Sequence, residues 1–180
     1  MNWKECFKDR NDMKLKLLRY KTQSFLKKNK TPRYSEAYKK ANSIGIIFTV
    51  EDRKKHDHIK NLIRKIERDG KQVKALGYLP PNQENYEFLF DFFTYREVSM
   101  WGNITAASAL KFADTPFDFL IYLDATPNEY ILNLVAKSKA KCRIGKFWDA
   151  GEPYFEMMIE SHGDARALID DLYKYTTALR

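Results

Sequence analysis

The sequence predicts an α/β fold: a three-layer, Rossmann-like domain with a mostly parallel sheet, plus a basic N-terminal helical arm. Three observations carry this expectation. Two runs, "SIGIIFTV" (43–50) and "FDFLIYLD" (117–124), are apolar on both alternating faces, as strands covered by helices on both sides must be. Strand and helix signals then alternate along the chain, the pattern of layered α/β proteins. Finally, the charge divides unevenly: residues 1–42 hold 13 Lys and Arg against 4 Asp and Glu, while 43–180 hold 19 against 20. The basicity therefore belongs to an arm over 1–42, and 43–180 reads as a single α/β domain.

In the arm, Trp3, Phe7, Met13, Leu17, Leu18, Phe25 and Leu26 fall near helical spacing, although the apolar stripe wanders. The helix is expected to end near "KKNKTPR", where Asn29, Thr31 and Pro32 break the pattern. Lys27, Lys28 and Lys30 there complement the helix dipole. After the first strand, Ile59, Leu62, Ile63 and Ile66 mark a helix closed by Gly70 as its C′ residue, and "KQVKALGYL" reads as the second strand. Only a short loop with Pro80, Pro81 and Asn82 precedes the aromatic segment over residues 86–95. A parallel crossover usually needs a dozen or more residues, so that strand is antiparallel, at an edge, or irregular, and its direction stays open.

"NITAASALKFAD" then predicts a helix capped by Asn103 and ended by Pro116. After the second central strand, Thr126 is expected to cap, with Pro127 at the first helical position and Glu129 completing a capping box. Ile131, Leu134 and Val135 give that helix its buried face. "KCRIGKF" and "YFEMMIE" read as short strands, the lysines at 137, 139 and 141 being explained by solvation and helix-end charge. Leu168, Ile169, Leu172 and Leu179 mark the final helix.

Several function classes are argued against. No apolar run approaches the roughly 18 residues that span a bilayer, and "MNWKECFKDRND" has no signal-peptide core. Two cysteines, Cys6 and Cys142, fit a reducing compartment without a disulfide framework, so a cytoplasmic location is expected. "TVEDRKKHD" offers no glycine turn for a pyrophosphate, and no Walker pattern occurs; no cofactor is expected. His56 and His58, two apart on a helix, point to different faces and read as solvated, so no metal is expected. His162 in "SHGD" reads as part of a turn, and no nucleophile elbow or serine–histidine–acid set is visible.

Ligands of open α/β sheets sit outside the C-terminal ends of the strands. That rule selects a candidate pocket of Thr49, Asp52, Tyr78, Asp124, Thr126, Trp148, Asp149 and Glu152, with Glu51 beside them. Asp124 paired with Asp149 or Glu152 would suit acid–base work; capping and loop solvation are the structural alternatives. Tyr95 and Trp101 either stack on bases or belong to the core. Lys27, Lys28, Lys30 and Arg33 are candidate contacts to nucleic acid or to an acidic protein face.

The run "SIGIIF", "VKALGYLP", "MWGNITAASALKFADTPFDFLIYLD", "AKSKAKCRIGKF" and "YFEMMIE" resembles an uncharacterised family of small bacterial proteins, a domain of unknown function. That resemblance implies a cytoplasmic domain and brings no activity. More weakly, "FDFLIYLDATPNEYILNLVAKSKAKCRIGKF" looks like the N-terminal domain of heptosyltransferase-type glycosyltransferases. This implies a nucleotide-fold-like topology, with Asp52 set against the family's catalytic acid. The Gly-Asp loop of that family is absent here, and the chain has no length for the second, donor-binding domain.

Two functions are thus expected. The first is a non-enzymatic binding or scaffold domain whose basic arm contacts RNA or an acidic protein partner. The alternative is an enzyme or enzyme subunit, glycosyltransferase-like, acting on a sugar or phosphate-bearing metabolite in a pocket lined by Asp124, Thr126 and Trp148.

Overall fold

The structure, a computed structural model, describes residues 3–81, 83 and 90–180. The side chains of Trp3, Cys6 and Phe7, Asn82, and the 86–89 part of the aromatic segment lie outside the described residues. The elements follow one another as α1 (Trp3–Lys28), β1 (Ser43–Thr49), α2 (Arg53–Arg68), β2 (Gln72–Leu79), β3 (Asp91–Thr94), a 3-10 turn (Tyr95–Glu97), α3 (Ala107–Asp114), β4 (Phe119–Tyr122), α4 (Glu129–Lys137), β5 (Cys142–Lys146), β6 (Met157–Ile159) and α5 (Ala165–Thr177).

Six strands form one sheet in the order β3-β2-β1-β4-β5-β6, and all five strand pairings within it are parallel. The two doubly apolar runs are the central pair β1 and β4, joined from Ile44–Phe119 to Ile47–Tyr122. One face of the sheet packs Leu120, Tyr122 and Ile47 under α1, α3 and α4. The other packs Ile46, Phe48 and Ile121 under α2 and α5. Each face removes several large side chains from water, at roughly 1.5–3 kcal/mol apiece, which is why the sheet needs two helical layers.

The open direction of the aromatic strand resolves as parallel: Leu76–Asp91 to Leu79–Thr94. The strand begins only at Asp91, so the connection from Leu79 takes in residues 80–90, close to the length that a parallel crossover needs. Gly70, at φ 78, closes α2 as expected; its N–H reaches Glu67 O at 2.9 Å and the Lys71 N–H reaches Ile66 O at 3.2 Å, the two bonds of a Schellman motif.

Three local expectations are corrected. Helix α3 starts at Ala107 with no side-chain cap; Asn103 is drawn instead into the turn before it, accepting from Lys21 Nζ. Helix α4 is capped by Asn128, whose Oδ1 accepts from Tyr130 N at 3.0 Å, so the Thr126 capping box does not form. The Tyr122 hydroxyl accepts from Asn128 N at 2.8 Å and donates to Thr126 O at 3.2 Å, which sets the helix start two residues later. Finally, His56 is buried rather than solvated, its ring 5.1 Å from that of Phe90.

The arm is docked along α4. Arg19 meets Glu129, the buried Asn133 amide donates to Thr22 Oγ1 at 2.8 Å, and Asn29 Nδ2 donates to Ala136 O and Ser138 O, both at 2.9 Å. Contacts advance along both helices together, so α1 and α4 run in parallel and end at the same edge of the sheet. Leu18, fully buried, anchors the interface.

Candidate functional site

The chain builds β2 and β3 on one side of β1 and then crosses to β4 on the other, so the switch in strand order lies between β1 and β4. At their C-terminal ends Asp124 is almost fully buried. One carboxylate oxygen accepts from Thr49 N at 2.8 Å and Lys55 Nζ at 2.7 Å, and the other from Thr49 Oγ1 at 2.6 Å. Lys55, 3 % exposed, also donates to Glu51 at 2.6 Å. Asn128 Nδ2 closes the network by donating to Thr49 Oγ1 at 3.0 Å. A buried charge needs such partners, because an unpaired one would be strongly destabilising.

This network occupies the place where an α/β protein would receive a phosphate. The N terminus of α2 is filled by the Asp52 carboxylate, which accepts from Lys55 N at 2.7 Å, so the helix end meets a fixed negative charge of its own chain. Above it lies an open cleft of about 360 Å³ lined by Thr49, Glu51, Asp124, Thr126, Asn128 and Glu129, and closed on one side by Leu15 and Arg19 of α1.

The structure thus brings Thr49, Asp124 and Thr126 together, with Glu51. It does not bring the other candidates to that cleft. Asp52 is a helix cap. Tyr78 is buried and stacked on Tyr130 at 4.8 Å; burial and that neighbour hold its hydroxyl pKa above the ordinary range. Trp148 packs edge-on against Phe155 at 5.3 Å, and Asp149 and Glu152 are exposed on the loop after β5. None of these three lines the cleft. His162 is exposed, 3.3 Å from Glu160, in the turn before α5. Sequence spacing missed Lys55 and Asn128, because a lysine in a first helical turn and an asparagine after a proline carry no signal of a buried partner.

The second surface is the arm. From Met13 to Arg33 there are eight basic residues and no acidic one. Arg19 and Lys21 are engaged by Glu129 and Asn103. The guanidinium of Arg33 is turned inward, donating to Ser138 O at 2.7 Å and to Ala140 O; burial and the nearby Arg143 lower its pKa to about 10. Lys16, Lys27, Lys28 and Lys30 are exposed and have no ion pair among the described residues. Three of them stand where α1 ends, with Lys137 in the last turn of α4.

That corner is at the N-terminal edge of the sheet, opposite the cleft. Lys141, expected to be merely solvated, is paired there with Asp118 at 2.7 Å. Burial alone would raise the Asp118 pKa, but Lys141 and the N–H groups of Asn42 and Ser43 outweigh it and hold the carboxyl below its usual value.

A family model described as a family of unknown function, DUF6913, matches residues 14–179. The chain belongs to that family, and the match takes in most of the arm as well as the sheet. No curated protein matches the chain, and neither finding supports the similarity to heptosyltransferase-type enzymes.

Proposed function

We propose that this DUF6913 protein is a non-enzymatic binding module that attaches to a polyanion, RNA or an acidic protein face, through its arm. One observation carries the reading: Lys16, Lys27 and Lys28 on α1, which packs against α4, and Lys30 just after its end are exposed without ion pairs among the described residues. Helix-dipole compensation explains a lysine or two at a helix end; it does not explain a stretch of eight basic residues with no acidic one. The filled switch point supports the same reading, since Asp124 is taken up by Thr49 and Lys55, and the N terminus of α2 by Asp52. Fluorescence anisotropy with labelled oligo(U) and with a polyglutamate peptide, at rising salt, tests it. Binding of either that weakens with salt is expected; binding of neither would refute it.

The alternative reading, a small metabolite at the C-terminal edge, rests on the cleft beside Asp124. A thermal-shift screen of sugars and sugar phosphates tests it: stabilisation abolished by Thr49→Val would support it, and no stabilisation would count against it.

A further inference from the structure

We propose that Trp101 and Tyr20 form an aromatic platform on which unpaired bases of a single-stranded nucleic acid stack, while the lysines of α1 hold its phosphates. This rests on the reading of the arm as a polyanion-binding surface and names the class of polyanion. Trp101 is 73 % exposed and Tyr20 is 74 % exposed, the two most exposed large hydrophobic side chains among the described residues. Single exposed apolar residues need no explanation. Here, however, a rigid turn is built to present one of them.

Gly102 N donates to Ser99 O at 3.0 Å, Ser99 N to Asn103 O at 2.8 Å, and Asn103 N to Ser99 Oγ at 3.2 Å. Gly102 has φ 69, and a Cβ on it would lie 2.5 Å from Leu18 N and 2.7 Å from Leu17 C. The turn is thus seated directly on the backbone of α1, and Lys21 clamps it through Asn103. Trp101 is thus exposed on a turn seated at Leu17 and Leu18, and Tyr20 is exposed two residues further along the same helix.

The charge around the pair selects the occupant. Tyr20 lies within the stretch of eight basic and no acidic residues, with exposed Lys16 one turn before it and Lys27 two turns after. Exposed rings on and against a lysine-rich helix match single-stranded nucleic acid, where each base has a π-face and each phosphate a charge. Duplex bases are already stacked, and an acidic peptide offers charge without rings.

Titrations of full-length protein with oligo(U), with a duplex RNA of equal length and with heparin test the proposal. Trp101→Ala and Tyr20→Ala are expected each to weaken oligo(U) at least about fivefold while leaving heparin affinity unchanged, and Trp101→Phe to restore most of the loss. Oligo(U) is expected to quench tryptophan fluorescence in the native protein but not in Trp101→Ala. Both positions are exposed, so unchanged melting temperatures accompany these effects. Equal losses for oligo(U), duplex and heparin, or tighter binding of polyglutamate than of oligo(U), overturn the platform and leave polyanion binding standing. Binding of none of them overturns both.

Discussion

Lys55 Nζ lies 2.7 Å from Asp124 Oδ1, with side chains 3 % and 2 % exposed, at the point where the sheet changes strand order. Removing one partner of such a pair strands the other charge in a dry site, at about 3–5 kcal/mol. Lys55→Met is therefore expected to lose about that much in urea unfolding. Lys55→Met combined with Asp124→Asn is expected to lose at least about 1 kcal/mol less than the sum of the single variants, because the double variant leaves no buried charge unpaired, Glu51 being exposed to water. Additive losses would contradict the coupling.

The start of α4 gives a second expectation. Asn128 caps the helix and also bonds Thr49, whereas Thr126 only faces the cleft. Asn128→Ala should lower stability by about 1–2 kcal/mol and Thr126→Ala by less than about 0.5 kcal/mol. Chemical denaturation of the two variants side by side distinguishes them.

These two positions also show what a sequence conveys. The fold was legible because β1 and β4 are apolar on both faces and α2 has an unbroken 3.6-residue stripe, signals that depend only on burial. The cap was not, because Thr126-Pro127 is as good a start signal as Asn128. The choice is made by the Tyr122 hydroxyl, which arrives from a strand packed beneath. Likewise, position alone placed Thr49, Asp124 and Thr126 at one edge. It gave no sign that Trp148 would turn away into Phe155 and Tyr154, since its direction is set by packing after the strand ends. A helix before Asn29 was legible, but its seat on α4 depends on Asn133 and Asn29, whose partners lie more than a hundred residues away.

The turn holding Trp101 depends on Gly102. An alanine there meets a left-handed backbone, worth about 1–2 kcal/mol, and a contact with the α1 backbone that cannot yield without moving the turn, worth about 1–3 kcal/mol. Gly102→Ala is expected to destabilise by about 2–5 kcal/mol in urea, and a neutral substitution would show that the turn does not sit on α1.

Asp118 supplies a pH signature. Its folded pKa lies below that of an ordinary aspartate, so the carboxylate adds stability above the unfolded pKa of about 3.9 and loses it as pH falls through the folded pKa. Asp118→Asn should therefore be less stable than the native protein at pH 7, with the gap closing as pH drops below about 4. Melting temperatures of both proteins across pH 2–7 check this; a gap that persists at pH 2 would contradict it.

The salt dependence of oligo(U) binding tests the central claim most directly. For single strands the slope of log K against log salt is about −0.7 per phosphate neutralised. The native protein is expected to show a steep negative slope, and Lys27→Gln, Lys28→Gln and Lys30→Gln together are expected to flatten it by about 2. A slope near zero, or one that the triple variant leaves unchanged, would contradict attachment through the arm.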